Sequence, residues 1–445
     1  LAAAAHVLER DLEPLVLERG SAVGASMREW GHVALFSPWR YVVDRAAGDL
    51  LHENGWTDPD PEAYPTGGEI VRDYLEPLAS LPAMRSRIRL DSEVIGVTRE
   101  GLDKMTTPGR DEAPFLVTVR AADGTEEDIR ARAVIDASGT WTRPNPIGSS
   151  GRPATGEIAL QDRIAYGIPD VLGAARERYA GKRVLVVGSG HSAFNVLLDL
   201  VRLADEAPGT EITWAVRKPA NRLQNLFGGG ENDALPARGE LGARVQALVA
   251  SGRLRMETGI RMTKLALTDD GVVASSGEKT LAPVDEIIGA TGFRPDLGML
   301  SELRLGLDPA VDSPTALAPL IDPNVHSCGS VPPHGAEELR HPEADFYIVG
   351  MKSYGRAPTF LMLTGYEQVR SVAAAIAGDW DAARDVQLVL PETGVCSSNI
   401  PGLETENIAC CGVDESNTVV SSCCGVSEPQ VIKLASIRRD PVAHE

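Results

Sequence analysis

Gly188, Gly190 and Ala193 stand in the spacing G-x-G-x-x-A inside KRVLVVGSGHSAFNVLLDL, residues 182–200. That spacing suits the binding of a pyrophosphate. The first glycine allows a tight turn, and the second lets backbone N–H groups approach the phosphates. The small third residue lets a helix lie close on its strand, with its N-terminus favouring the negative charge. His191 and Ser192 fall inside the same loop and count as cofactor contacts with it. Arg217 and Lys218 follow the next apolar run. An acid there would accept ribose hydroxyls, whereas a cation suits the 2′-phosphate of NADPH. The bland alternative is a pair of solvated charges at a strand end.

A second set of residues repeats this logic. Glu18 ends a short apolar run at 15–17, where an acid bonds an adenosine ribose. Two small-residue turns, ASGTW at 137–141 and ATGFRPD at 290–296, each follow an apolar strand. They place Ser138 with Gly139, and Thr291 with Gly292, where a dinucleotide needs close backbone approach. Arg28, Trp30, Trp39 and Arg40 lie in a Gly- and aromatic-bearing segment, 20–44. They are candidates for pyrophosphate, ring or substrate contacts, and equally for simple loop anchors. Val94 and Gly350 complete this set.

The elements that must position these residues follow from periodicity. Residues 184–187 and 212–216 read as buried parallel strands, and the segment after Gly190 reads as a helix with Phe194, Leu197, Leu198 and Val201 on one face. Residues 1–9 read as a helix, 69–79 as another, and 89–98, 113–121 and 126–131 as a β-meander. The opening segment looks like the second half of a βαβ unit, so about a dozen residues of strand and glycine loop are expected to precede it. The fold class expected is α/β, with two Rossmann-like, three-layer ββα dinucleotide-binding domains, the NADPH domain inserted into the FAD domain. The divisions are 1–145 and 297–380 for FAD, 146–180 as connector, 181–296 for NADPH, and 381–445 as a Cys-rich, loop-rich tail.

Composition narrows the partners. The 445 residues carry a net charge of −20, which argues against nucleic acid and anionic membrane surfaces. No apolar run reaches the ~18 residues of a membrane span, and the start has no basic leader, so a cytoplasmic location is expected. Of six cysteines only Cys328 lies in the body; Cys396, Cys410, Cys411, Cys423 and Cys424 crowd the tail. Five soft thiols, four of them in vicinal pairs, would suit a soft metal or metalloid, or would be a dispensable exposed cluster. No metal site is certain.

Together these residues resemble the flavin-dependent monooxygenases with two dinucleotide-binding domains, over about residues 1–377. Within that group the chain is most similar to the FAD/NAD(P)-dependent oxidoreductases of actinobacterial arsenic-resistance clusters, on GHVALFSPWRY, VVGSGHSAFN and PETGVCS. The resemblance implies FAD bound at Glu18 and NADPH at Gly188, Gly190, Ala193 and Arg217. It implies a helix after MKSYGRAP whose N-terminus, at 357–359 and including Thr359, approaches the flavin. Arg40, Arg294 and Lys352 are then the cations expected near the flavin. The implied chemistry passes hydride from NADPH to FAD and, with molecular oxygen, forms a C4a-(hydro)peroxyflavin that oxygenates a small soft nucleophile, a trivalent arsenical included. Two alternatives stand: an NADPH-dependent disulfide or metalloid reductase using the tail cysteines, and a non-enzymatic flavin redox sensor. The pattern F-x-G-x-x-x-H-x-x-x-[FW] is absent before the second glycine motif, and no C-x-x-C occurs in the body. A homodimer is compatible with all of this.

Overall fold

The computed structural model describes residues 1–223, 226–227, 236–324, 331–357 and 361–388. A helix Ala2–Leu8 leads into strand β1 (Val16–Leu17), which pairs in parallel with β2 (Ile88–Arg89). The run expected as one strand over 89–98 is two. Asp91, at φ +51°, bends the chain between β2 and β3 (Ser92–Arg99). β3, β4 (Phe115–Ala121) and β5 (Glu126–Ala131) form the antiparallel meander. The helix expected over 69–79 spans Gly67–Ile70, a π-turn Val71–Leu75 and Glu76–Ser80. It starts on a capping box, with Thr66 Oγ1 accepting the Glu69 N–H and the Glu69 carboxylate accepting the Thr66 N–H at 2.7 Å.

β6 (Val134–Asp136) ends the first half. The chain then enters the stretch read as a connector, which contributes β7 (Ile164–Tyr166) to the sheet of the second half. That sheet is wholly parallel. β8 (Arg183–Val187), β9 (Glu211–Ala215), β10 (Arg255–Glu257) and β14 (Glu286–Gly289) join β7 in the order β10-β9-β8-β14-β7. β8 and β14 are buried along their whole apolar length, as central strands covered on both faces must be. The helix His191–Glu206 packs Ala193, Phe194, Leu197, Leu200 and Leu203 in one cluster with Val184, Val186 and Trp214. A second antiparallel triplet, β11 (Lys264–Thr268), β12 (Gly271–Ser276) and β13 (Lys279–Thr280), covers the opposite face.

β15 (Phe346–Ile348) returns to the first half and pairs in parallel with β6. A turn Gly350–Tyr354 and the long helix Met362–Ile376 follow it. The meander is tied to this return by a buried ion triad. Glu343 accepts from Arg99 Nε at 2.8 Å and Arg110 Nη2 at 2.8 Å, with the Arg304 N–H at 3.0 Å. Among the described residues no helix is long and apolar enough to cross a membrane.

Candidate functional site

The G-x-G-x-x-A turn follows β8. Gly188 has φ +143°, and a Cβ there would lie 2.1 Å from the Ala290 carbonyl oxygen. Only glycine lets the two turns after β8 and β14 meet this closely. The Gly188 carbonyl accepts from Trp214 Nε1 at 2.7 Å, which anchors the turn to the next strand. Gly190 differs, because a Cβ there would meet nothing within 4 Å. It precedes a sixteen-residue helix that no side chain caps. Space and helix-terminal amides thus face outward together. Ala193 is fully buried beneath, as the third position requires. His191 is half-buried, its ring 5.4 Å from Phe36 and 6.0 Å from Phe194, and Ser192 stands beside it on the first turn. Beyond β9, Arg217 is exposed with no acidic partner among the described residues; the Lys218 carbonyl accepts from Gly259 at 2.9 Å.

The second turn of this half is stitched to the first half. Asn145 donates its backbone N–H to the Gly292 carbonyl at 2.9 Å and accepts the Thr291 hydroxyl at 2.6 Å. Gly292 is exposed at φ +81°. The Arg294 N–H reaches the Arg143 carbonyl at 3.0 Å, and Trp141 stacks on Phe293 with ring centroids 4.6 Å apart. The ASGTW and ATGFRPD turns, alike in sequence, therefore meet in space. The Gly298 amide, together with Arg143 and Lys352, holds the Asp296 carboxyl below the usual carboxylate range.

In the first half the parallel pair β6 and β15 carries a polar cluster at its end. Asp136 is buried and accepts Ser138 N at 3.0 Å and Ser138 Oγ at 2.7 Å on Oδ1. Its Oδ2 takes Lys352 Nζ at 2.7 Å, and Lys352 also donates to Ser138 Oγ at 3.0 Å. Lys352 is 2% exposed. Its ammonium thus binds two turns of the protein together. Gly139 and Gly350, at φ +70° and +68°, flank this cluster, and a side chain at either would meet open space. Glu18 lies just past β1, where its Oε1 accepts the Gly20 N–H at 2.8 Å.

Several other expected contacts lie elsewhere. Trp39 is a core residue, packed with Val42, Ala46, Tyr74 and Leu78, because its large apolar ring is better buried than exposed in a loop. Arg28 pairs with Glu76 at 2.6 Å, and Arg40 pairs with Glu62 over the Tyr41 ring. Arg294 leans toward the Gly151 carbonyl at 3.4 Å. Val94 packs on the meander's core beside a β-bulge. Thr359 and the cysteines Cys396, Cys410, Cys411, Cys423 and Cys424 lie outside the described residues. Asn145, Trp141 and Asp136 are the site-building residues that motif reading passed over. The repetition of the two small-residue turns was their available signal.

Comparison with known proteins places this geometry. The sequence profile of the pyridine nucleotide-disulphide oxidoreductases matches residues 1–316. A ferredoxin–NADP reductase of Frankia alni is 29% identical over 259 residues, 56% of this chain and 69% of that protein. The bacillithiol disulfide reductase Bdr of Bacillus cereus superposes with a TM-score of 0.60 at 18% identity, over 85% of this chain and 95% of that one. The cadaverine monooxygenase DfoA of Erwinia amylovora, solved with FAD, gives 0.56 at 13% identity over 89% and 96%.

Proposed function

The chain belongs to the pyridine nucleotide-disulphide oxidoreductase family, and from that premise we propose that it is an FAD- and NADPH-dependent oxidoreductase acting as a monooxygenase on a small soft nucleophile. The observation that carries the cofactor reading is the pair of glycine turns after β8 and β14, locked by Gly188 against Ala290, with open space and an uncapped helix at Gly190. These residues fit a dinucleotide. Gly190 and the first amides of His191–Glu206 would hold the pyrophosphate of NADPH, and Arg217 its 2′-phosphate. Glu18, Ser138, Gly139 and Gly350 would hold FAD, since their positions leave room for backbone contact at the ends of neighbouring parallel strands.

When bound, NADPH would supply a hydride and FAD would accept it and pass the electrons on to oxygen. The chain's own part is to bind, orient and exclude water. Asp136, neutralised by Lys352, fixes the Ser138 turn without leaving a bare buried charge. The Asn145 stitch and the Trp141–Phe293 stack hold the two halves in register. Residues 1–327 contain no cysteine, so that stretch supplies no dithiol relay to compete with the monooxygenase reading.

The test is NADPH oxidation followed together with oxygen uptake, with and without soft nucleophiles, trivalent arsenicals first. Equimolar NADPH and oxygen consumption, with an oxygenated product and little peroxide, is the expected result. Anaerobic turnover that disappears when Cys410, Cys411, Cys423 and Cys424 become serine would overturn it in favour of a reductase.

A further inference from the structure

Behind the turn that follows β15 lies a closed hydrogen-bond network that touches none of the glycine-motif residues except Gly350. Gln368, on the helix Met362–Ile376, is 0% exposed. Its Oε1 accepts the Gly350 N–H at 2.7 Å. Its amide nitrogen donates to Ser353 Oγ at 2.9 Å and to His334 Nε2 at 2.9 Å. Ser353 Oγ donates in turn to the Gly350 carbonyl at 2.8 Å. His334 Nε2 can accept only if the ring proton sits on Nδ1, and Nδ1 faces the Pro332 carbonyl at 3.0 Å. The network itself therefore sets the amide orientation and the histidine tautomer.

Packing alone would not select this arrangement. A leucine or methionine would hold the helix against the turn, without the cost of desolvating an amide, a hydroxyl and an imidazole. What the polar network adds is direction, since it holds both the N–H and the C=O of Gly350. That residue stands at φ +68° with open space where a side chain would begin. We propose that Gln368, locked by Ser353 and His334, is a positioning residue for the flavin: it fixes the Gly350 peptide groups so that the turn presents one backbone surface to FAD. The inference rests on the FAD reading given above.

The test is FAD titration of the full-length apoprotein, read by flavin fluorescence and by the visible spectrum of the bound flavin. Wild type binds stoichiometrically. Gln368→Met, similar in volume, binds roughly tenfold more weakly or worse, as expected for loss of a buried hydrogen bond, and its flavin band shifts. Gln368→Glu keeps an acceptor for Gly350 but has no N–H for His334, so its network closes only when His334 is protonated. Burial lowers the His334 pKa from its ordinary 6.5; the groups facing it, the Pro332 carbonyl, Glu338 and Glu367, act against that, and the Tyr354 ring lies 5.6 Å away. FAD affinity of Gln368→Glu then recovers as pH falls below about 6.5, and does not recover once His334→Leu is added. Wild-type affinity and spectrum in Gln368→Met, or a pH-independent Gln368→Glu, overturns the proposal while leaving the flavin reading intact. If Gln368→Met does not fold, the pH series of Gln368→Glu decides. A wild-type protein that binds no FAD overturns both.

Discussion

Lys352→Met is the most direct test of how the first half of the site is built. Lys352 Nζ and Asp136 Oδ2 lie 2.7 Å apart, with side chains 1% and 3% exposed. At that distance the attraction is about 6 kcal/mol at an effective dielectric of ~20, most of it offset by the cost of dehydrating both ions. Removing one partner exposes the cost without the gain, and typical losses are about 3–5 kcal/mol. Methionine keeps the aliphatic stem, so the loss reports the charge rather than a cavity. Asp136→Asn with Lys352→Met leaves no bare charge, and the double variant should lose about 2 kcal/mol less than the sum of the singles. Urea unfolding of the four proteins gives every term. A Lys352→Met protein within about 1 kcal/mol of wild type, with turnover lost, would refute the reasoning and return Lys352 to the role of a catalytic cation.

Other outcomes follow from the same geometry. Gly188→Ala should fail to fold or lose several kcal/mol, because its Cβ would lie 2.1 Å from the Ala290 oxygen, whereas Gly190→Ala should fold normally and raise the KM for NADPH about tenfold or more; thermal melts with steady-state kinetics separate the two. Arg217→Ala should cut the preference for NADPH over NADH by about 10- to 100-fold in kcat/KM, as loss of a charge-assisted contact requires. Burial raises the Glu343 carboxyl, but Arg110, the Arg304 amide and Arg99 outweigh it and leave the pKa below the ordinary glutamate value of 4.5. The triad's contribution is therefore intact above that value and is lost as pH falls below it, so acid unfolding of wild type should begin there. Glu343→Gln, already lacking the charge, should show a flatter acid limb in a pH series of denaturation curves.

Much of the nucleotide architecture was legible along the chain, because its signals are local. The strand at 184–187, the glycine spacing and the helix after it are consecutive, and each is dictated by backbone sterics or apolar periodicity. The meander was readable for the same reason. Side-chain roles were less so. Trp39 and Arg40 are neighbours in sequence, yet one is core and the other is paired with Glu62 at the surface. Spacing does not encode burial in an irregular segment.

The tertiary structure decided where charges go. Sequence marks Lys352 as a cation near a glycine turn, but only the pairing of β6 with β15 brings it to Asp136, 216 positions earlier, and turns a free charge into a brace. Gln368 looks like an ordinary polar position on an apolar helix until the helix packs under Gly350. The sequence by itself determined that small-residue turns follow apolar strands and that an arginine follows one of them, because those depend on glycine, apolar periodicity and one side chain. Which turns touch, and which ionisable groups are spent holding them, depends on contacts between distant segments, and those exist only once the sheets have formed.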